Sequence, residues 1–393
     1  MNRTISGLDN LLANPERHIK GKTVGLVVNH TSLAGDHRHS IVHFRSHPKF
    51  VLKKLFAPEH GLYGVEQDMV GVGGGRDPVS GLEVVSLYGN EAESLSPKPE
   101  ILAGLDTLVF DIQDIGSRYY TFVYTMANCM RVCREAGIRM VVCDRPNPIG
   151  GDRMEGNLVG EAWRSFVGQY PLPNRHGMTA GELALLFNGH FGVGCDLSVV
   201  PMRGWTRSLW HDETSLLWVA PSPNMPTLAT AAVYPGMCLV EGTGLSEGRG
   251  TALPFEQTGA PYIDPRELTR ALAEEDLPGV YFRPHYFKPT FHKWAGKVCG
   301  GIQLHVTDRG RFKPVLTGVA VLRAIARLYP RDFQWRAEPY EFVGDRPAID
   351  LLYGNPLLRE RHIPGDTPLR EIEESWREEL AEFGRTRRDY LLY

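Results

Sequence analysis

The amino-acid sequence predicts an α/β protein whose first half is built around a parallel β-sheet. Three observations support this prediction. Short runs of apolar and β-branched residues recur through the first half, segments with helical periodicity separate them, and polar residues follow directly after the runs. Continuous apolar strands that alternate with helices are typical of a parallel sheet that is covered on both faces.

The predicted elements of the first half can be given in chain order. Strands are predicted, from their apolar and β-branched content, over residues 23–29, 51–57, 82–87, 107–112, 139–143 and 197–202. Helices are predicted, from apolar residues at helical spacing, over residues 5–12, 37–47, 120–136 and 182–188. Two helix ends have local signals, because Gly137 is a good C-terminal stop and Thr179 with Glu182 forms a capping box.

The second half of the chain has a different pattern. Proline and glycine cluster from Pro221 to Pro261, and a strand over 300–306 and helices over 318–328 and 369–383 are predicted after them. This pattern predicts a separate, smaller α+β domain. We place the boundary at the segment PSPNMP, which cannot continue regular structure, and therefore predict domains over 1–225 and 226–393.

The composition excludes several classes of protein. The 393 residues are 42% hydrophobic and 23% charged with a net charge of -3, as in an ordinary globular protein. There is no basic stripe typical of nucleic-acid binding, no polybasic run for a membrane surface, and no apolar run long enough to span a bilayer. The six cysteines contain no C-x-x-C pair, so we expect neither required disulfides nor a zinc cluster. Because the N-terminal segment lacks the apolar stretch of a signal peptide, we expect a cytoplasmic protein.

The most informative segment is FAPEHGLYG, residues 56–64. It ends a predicted buried strand and places Glu59 and His60 in a loop that contains glycine. In open α/β sheets, ligands bind beyond the carboxyl ends of the strands. Because a glutamate between proline and histidine has no evident role in a turn or a cap, we interpret Glu59 as a functional residue.

Polar residues also follow three other predicted strands. The side chains that would meet at the same rim of the sheet are Asn29, His30, Asp111, Asp114, Arg118, Asp144, Arg145 and Asn147. Four such strand ends predict a polar cleft. Structural roles are the alternatives: Asp114 has the context of a cap or turn former, Asp144 and Arg145 can pair with each other, and His30 is better suited to positioning than to ligation.

Two further clusters contain charged side chains. In EGTGLSEGRGT, residues 241–251, Glu241, Glu247 and Arg249 lie among glycines. This segment is either a mobile loop that suits a polyhydroxylated or anionic ligand, or a solvated surface loop. In NRHGMT, His176 lies just before a predicted helix N-terminus, where anions bind favourably. The run GVGGG, residues 71–75, lacks the context of a phosphate loop or a dinucleotide fingerprint, so we interpret it as a flexible loop and expect no cofactor.

Seven motifs occur in one order along the chain: APEHG, DIQDIGSRYYT, DRPNPIGG, EGNL, RHGMTAGELA, PSPNMPTL and YPGMCLVEGTGLSEGRGT. Together they resemble the NamZ-like exo-β-N-acetylmuramidase family, from about Gly25 to the terminal YLLY. The resemblance implies a Rossmann-like domain, a smaller C-terminal domain and an active site in the cleft between them. It also implies release of terminal N-acetylmuramic acid from the non-reducing end of peptidoglycan fragments, so the expected partners are peptidoglycan-derived saccharides.

The resemblance extends to catalytic residues. In that family a pair of glutamates is thought to act in catalysis, and Glu59 matches the motif glutamate. For the second glutamate we favour Glu155 of EGNL, ahead of Glu241 and Glu247. Asn157 stands where the motif usually has proline, which leaves Glu155 in place. Many relatives have an export signal that we do not find here, which favours a role in intracellular cell-wall recycling.

Glycoside cleavage needs an acid that protonates the leaving oxygen and a carboxylate that activates water or attacks carbon. We expect Glu59 to be the acid/base, oriented by His60, and no metal to be required. The 2-acetamido group of the sugar is an alternative nucleophile, which Asp111 or Asp114 would then orient. Arginine holds carboxylates bidentately. The candidates for binding the lactyl carboxylate and other parts of the substrate are therefore Arg118, Arg145 and Arg249, with Asn224 of PSPNMPTL.

Two other functions remain as alternatives. One is an amidase or deacetylase acting on muropeptides, and a metal bound by Glu59 or His30 would favour it. A metal site made of Glu59, His60 and Asp111 is a related possibility. The other is a non-catalytic protein that binds cell-wall sugars in a cleft between two domains.

Overall fold

The computed structural model describes residues 3–393, so the first two residues of the predicted domain 1–225 lie outside it. The strands within this range are β1 Thr23–Val28, β2 Val51–Ala57, β3 Gly75–Arg76, β4 Glu83–Ser86, β5 Thr107–Asp111, β6 Arg139–Cys143, β7 Glu155–Leu158, β8 Pro173–Arg175, β9 Leu197–Val200, β10 Gln257–Ala260, β11 Val280–Phe287 and β12 Cys299–Val306. They form sheets of seven, three and two strands.

The seven-stranded sheet has the order β3-β4-β2-β1-β5-β6-β9. Every neighbouring pair is parallel except β3 and β4. The six parallel strands therefore follow the spatial order 3-2-1-4-5-6 of dinucleotide-binding folds, in which the strand order reverses between β1 and β5. The prediction of a Rossmann-like parallel sheet is confirmed, and each predicted strand of the first half is present with small differences at its ends. The short strand β3 at the sheet edge was not predicted.

The α-helices are α1 Gly7–Ala13, α2 Ser40–Ser46, α3 Phe122–Ala136, α4 Ala180–Gly189, α5 Leu228–Met237, α6 Pro265–Ala273, α7 Pro314–Leu328, α8 Ala348–Tyr353, α9 Leu369–Ser375 and α10 Arg377–Arg387. The predicted capping box of α4 is confirmed. The helix predicted over 369–383 is instead two helices that meet at Trp376. Helix α5 was not predicted because it lies in the Pro- and Gly-rich region, where Thr227 caps its start and Pro235 occupies its last turn.

The second half contains the antiparallel sheet β10-β12-β11 and most of the remaining helices. Helices α5 and α7 cross at two glycines. A Cβ atom on Gly236 would lie 1.8 Å from the carbonyl oxygen of Pro314, and one on Gly318 would lie 2.2 Å from the carbonyl oxygen of Gly236. Only glycine allows so close an approach, and this contact packs α5 against α7 within the second half.

The largest group of buried apolar side chains spans both halves of the chain. It extends from Phe110 and Phe122 in the first half to Tyr234, Ile325 and Tyr353 in the second. The division into domains 1–225 and 226–393 therefore stays a prediction, because the two halves share one core. Within residues 3–393, no helix is both long and apolar enough to cross a bilayer.

Candidate active site

A pocket lies between the carboxyl ends of the first-half strands and the segment that follows α5. The space between its walls, counted together with the open solvent at its entrance, is about 500 Å³. Five side chains that the sequence singled out line it together: Glu59, His60, Asn224, Glu241 and Arg249.

Glu59 is positioned by the end of β2 and the start of α3. Its side chain is buried, Oε2 accepts a hydrogen bond from Thr121 Oγ1 at 2.7 Å, and Oε1 accepts one from the Met69 amide at 3.4 Å. The neighbouring His60 has a left-handed backbone with φ of 67°, which is unusual for a residue other than glycine. Its Nδ1 lies 2.8 Å from the Glu66 carbonyl oxygen. Because a carbonyl oxygen can only accept, Nδ1 is the donor of this bond. In a neutral imidazole, Nε2 is then an acceptor.

Arg249 is the buried cation of the pocket. Its guanidinium contacts Glu241 Oε1 at 2.5 Å, Asp68 Oδ1 at 3.0 Å and Glu247 Oε1 at 3.5 Å. Glu241 also accepts a hydrogen bond from Tyr340 Oη at 2.6 Å. These acidic neighbours outweigh the cost of burial and hold the pKa of Arg249 well above its usual value.

Glu247 lies behind Arg249 and does not line the pocket. Its carboxylate is 3.1 Å from Lys293 Nζ and 3.0 Å from His292 Nδ1. Burial alone would raise its pKa, but Lys293, His292 and Arg249 hold that pKa well below the usual value. A carboxylate bound in this way supports Arg249 and is poorly placed to exchange a proton with a ligand.

Glu341 is a carboxylate of the pocket that the sequence did not single out. It lies in a two-residue turn between Tyr340 and Val343, whose backbones pair with each other. Both turn residues, Glu341 and Phe342, have positive φ, at 48° and 66°. Such turns normally use Asn-Gly, and backbone strain of this kind clusters at functional sites. No local sequence pattern of this segment predicted the turn.

The environment of Glu341 favours its protonated form. Burial and then the negative charge of Glu59 raise the pKa of Glu341 well above its usual value, although a 2.9 Å hydrogen bond from Tyr88 Oη works in the opposite direction. Two carboxyl groups that share a buried site cannot both ionise easily. The geometry therefore brings together Glu59 and Glu341 as an interacting pair.

Glu155, our first choice for the second catalytic glutamate, does not line the pocket. Its Oε1 accepts a hydrogen bond from the Leu316 amide at 2.8 Å, in the first turn of α7. It lies opposite Arg175 in the β7–β8 pair. Burial raises the pKa of Glu155 to about 7, against the lowering effect of the amide bonds and of Arg175. These contacts describe a carboxyl group that joins β7 to α7.

The polar strand ends at the rim mainly bind each other. Asp111 makes a bidentate ion pair with Arg145 at 2.6 and 2.9 Å, so the side chains of Asp144 and Arg145 do not pair with each other, which was the structural alternative for them. Asp144 instead accepts hydrogen bonds of 2.7 Å from Thr179 Oγ1 and from Tyr393 Oη. None of these three predicted residues lines the pocket.

The other predicted strand-end residues also have partners outside the pocket. Those partners are Thr31 for Asn29, the Ala220 carbonyl for His30, the Gly116 amide for Asp114, the Met178 carbonyl for Asn147, and Asp114, 3.4 Å away, for His176. Arg118 is fully buried and donates to four backbone carbonyls, including those of Asn157 and Tyr353. Its guanidinium therefore holds segments of the two halves together and is not free for a ligand.

Within residues 3–393, no group of three His, Cys, Asp or Glu side chains is arranged to hold a metal ion. In particular, Asp111 is bound to Arg145 and does not lie with Glu59 and His60 in the pocket lining.

Comparisons with known proteins cover the whole of this architecture. Residues 24–229 match the N-terminal domain, and residues 232–393 the C-terminal domain, of the family described as exo-β-N-acetylmuramidase NamZ. The chain belongs to the NamZ family. The resemblance in the motifs is thereby confirmed.

Individual relatives agree with this membership. Over 388 residues the chain is 44% identical to the peptidoglycan β-N-acetylmuramidase NamZ of Bacillus subtilis, covering 99% of this chain and 91% of that protein. A DUF1343 family protein from Bacteroides fragilis has the same fold with a TM-score of 0.88 and 32% identity, and each chain is covered completely. A second protein of that family from the same organism has a TM-score of 0.77 and 28% identity, with 99% of each chain covered.

Proposed function

We propose that this NamZ-family chain is an exo-β-N-acetylmuramidase, which hydrolyses the bond between a terminal N-acetylmuramic acid and the next sugar of a peptidoglycan fragment. The observation that carries the proposal is the pair of buried carboxyl groups, Glu59 and Glu341, in a pocket that also contains the cation Arg249. Glycoside hydrolysis requires two carboxyl groups in different protonation states.

The carboxyl pair supplies both states if it holds one proton. We assign Glu59 as the acid/base that protonates the leaving oxygen, since it lies directly after β2 and is oriented by Thr121. Glu341 is then the second carboxyl group. It holds the proton at rest, and that proton passes to Glu59 before Glu59 protonates the leaving oxygen, so that Glu341 is ionised when it assists water or the sugar carbon. We place it ahead of Glu155, because Glu155 is bound to the start of α7.

The Bacillus subtilis relative is a peptidoglycan β-N-acetylmuramidase, and the negative charge of N-acetylmuramic acid complements the cation in this pocket. N-acetylmuramic acid differs from N-acetylglucosamine by a lactyl group with a carboxylate, and Arg249 is the guanidinium in the pocket lining that can bind it. Asn224 at the same wall offers an amide for hydroxyl or acetamido groups. His60 contributes an imidazole next to Glu59.

The experiment that tests this proposal compares two disaccharides. One has N-acetylmuramic acid at the non-reducing end and N-acetylglucosamine at the reducing end, and the other has the reverse order. We expect free N-acetylmuramic acid from the first disaccharide and no cleavage of the second. Cleavage of both would contradict the terminal muramic acid specificity, and cleavage of neither would contradict the glycosidase assignment.

A further inference from the structure

A segment of four residues, Glu66–Met69, lies across the candidate active site, and we call it the strap. Each of its residues contacts a different predicted side chain of the pocket. The contacts are the Glu66 carbonyl with His60 Nδ1 at 2.8 Å, Gln67 Oε1 with Asn224 Nδ2 at 2.7 Å, Asp68 Oδ1 with Arg249 Nη1 at 3.0 Å, and the Met69 amide with Glu59 Oε1 at 3.4 Å. The strap thus occupies, one by one, the groups that a ligand would use.

Asp68 is the strap residue whose carboxylate contacts Arg249, and it is the most exposed anion on that guanidinium. Its side chain is 16% exposed, whereas those of Glu241 and Glu247 are 5% and 0% exposed. The two glutamates are therefore the buried partners of the guanidinium, and Asp68, which contacts Nη1, is its more exposed partner. A carboxylate arriving from solvent meets Arg249 at the position of Asp68.

Glycine residues flank the strap on both sides. Gly61 and Gly64 precede it with φ of 80° and 65°, and the glycine-rich run 71–75 follows it. A Cβ atom on Gly73 would have no atom within 4 Å, whereas Gly71 packs against Asn90 and Gly75 pairs with Val84 in the sheet, so the open part of the run is its middle. Met69 itself has φ of 57°, a strained value that release of the strap would relieve. The prediction of a flexible loop over GVGGG is wrong for Gly75, which pairs with Val84 in the sheet, and stays a prediction for residues 71–74.

We propose that the strap is an internal occupant of the substrate site and that Asp68 stands in for the carboxylate of muramic acid. Substrate then displaces the strap, its carboxylate replaces Asp68 on Arg249, and Glu59, His60 and Asn224 become free to contact the sugar. This inference rests on the proposed function for the identity of the ligand. It makes Asp68 a specificity-determining residue, because a sugar that has no carboxylate cannot replace Asp68 as the partner of Arg249.

The proposal predicts the effect of Asp68→Asn on ligand affinity. An occupant that must leave before binding reduces the apparent affinity by the fraction of protein in the open state. We expect Asp68→Asn to bind N-acetylmuramic acid at least fivefold more tightly in calorimetry, with less than a twofold change for N-acetylglucosamine. The matched control is Glu66→Gln, which removes a charge from the same segment without touching Arg249 and leaves both affinities unchanged. Unchanged or weaker binding of N-acetylmuramic acid to Asp68→Asn, or no binding to either protein, would overturn the proposal.

Hydrogen–deuterium exchange distinguishes a displaced strap from a lid that closes on the ligand. In the full-length wild-type protein, saturating N-acetylmuramic acid is expected to raise amide exchange over residues 61–75. Unchanged or lower exchange would mean that the strap stays in place or closes, and would overturn the proposal. A failure of the proposed function is separate from both results, because it appears as no hydrolysis of muramides by the wild type.

Discussion

At the residue scale, the proposed chemistry of the pocket depends on two carboxyl groups, those of Glu59 and Glu341. Glu59 follows a strand, and its motif alone indicates a functional residue. Glu341 is 2.9 Å from Tyr88 Oη in a strained turn, and burial together with the charge of Glu59 raises its pKa. The environment of Glu341 therefore favours its protonated form.

Replacing Glu341 by glutamine tests its role as the second carboxylate. Because glutamine cannot ionise, we expect kcat/KM on a β-N-acetylmuramide to fall roughly 100- to 10,000-fold, the usual contribution of acid–base groups. The pH–rate profile of the residual activity is expected to lack the change in rate that the ionisation of Glu341 causes in the wild type.

The matched control for this variant is Glu338→Gln, since Glu338 lies on the same segment with a side chain that is 76% exposed. It is expected to keep the wild-type rate and pH profile. A Glu341→Gln protein that folds normally and turns over at the wild-type rate would remove Glu341 from the mechanism.

The sequence predicted the pocket residues only in part, for a physical reason. Glu59 stands out because its motif gives it no evident role in a turn or a cap, and Arg249 stands out as a cation in a glycine-rich segment. Glu341 lies in the pocket and accepts a hydrogen bond from Tyr88, which is distant in the sequence. No local sequence pattern predicts such a contact. Conversely, Arg118 looked like a ligand-binding residue because the sequence does not reveal four backbone carbonyls that converge on its guanidinium.

At the scale of elements, Glu155 connects β7 to the first turn of α7. A helix N-terminus leaves amide groups without partners inside the helix, and the Glu155 carboxyl group satisfies that of Leu316. The group is nearly enclosed and close to Arg175 in the neighbouring strand. The EGNL motif therefore has a structural explanation that does not need catalysis.

This assignment makes a prediction for stability against pH. Burial raises the folded-state pKa of Glu155 from 4.5 to about 7, so the folded protein binds more protons than the unfolded chain between these values. Its contribution to the free energy of unfolding is therefore fully present below about pH 4.5 and is lost as pH rises through 7. We expect Glu155→Gln, which keeps an acceptor for Leu316, to raise the free energy of unfolding at pH 8 by on the order of 3 kcal/mol.

Denaturant unfolding at pH 5 and pH 8 measures this effect, with the exposed Glu161→Gln as control. The gain of Glu155→Gln over wild type is expected to be larger at pH 8 than at pH 5. Its kcat/KM on a β-N-acetylmuramide is expected to remain within a few-fold of wild type. A loss of activity of 100-fold or more in the folded variant would instead support the catalytic role suggested by the family resemblance.

At the scale of the whole molecule, the end of the chain closes onto the first-half sheet. Tyr393 Oη donates to Asp144 Oδ2 and accepts from the Met202 amide, both at 2.7 Å, and the Leu392 amide donates to Glu182 Oε1 at 2.9 Å. Burial raises the pKa of Asp144 to about 6, and the bond from Tyr393 is one of those that oppose this rise. The two halves are thus tied together at the chain end as well as through their shared core.

Removing one hydroxyl group tests this closure. Tyr393→Phe leaves the buried Asp144 oxygen without one donor, and we expect the free energy of unfolding to fall by about 1–3 kcal/mol. Activity at a temperature well below unfolding is expected to stay unchanged, because Tyr393 does not line the pocket. Unfolding at the wild-type denaturant concentration would contradict a role of the chain end in stability.

The whole-molecule architecture was predictable to the extent that it follows from local patterns. Apolar runs that alternate with helices predict the parallel sheet, and its strand order follows a common topology. The path of α5 and the contact between Gly236 and Gly318 were not predictable, because they depend on pairs of residues that are distant in sequence. The pocket is lined by residues of both halves of the chain, so its full lining required the structure.

The most direct test of this account is hydrolysis of a chromogenic β-N-acetylmuramide and of its N-acetylglucosamine counterpart by wild type and Glu59→Gln. The account predicts that the wild type turns over the muramide alone. It also predicts that Glu59→Gln, folded to the same thermal stability, loses that turnover by a factor of roughly 1,000 or more. Wild-type turnover that persists in folded Glu59→Gln would contradict the central claim that the carboxyl group of Glu59 carries the reaction.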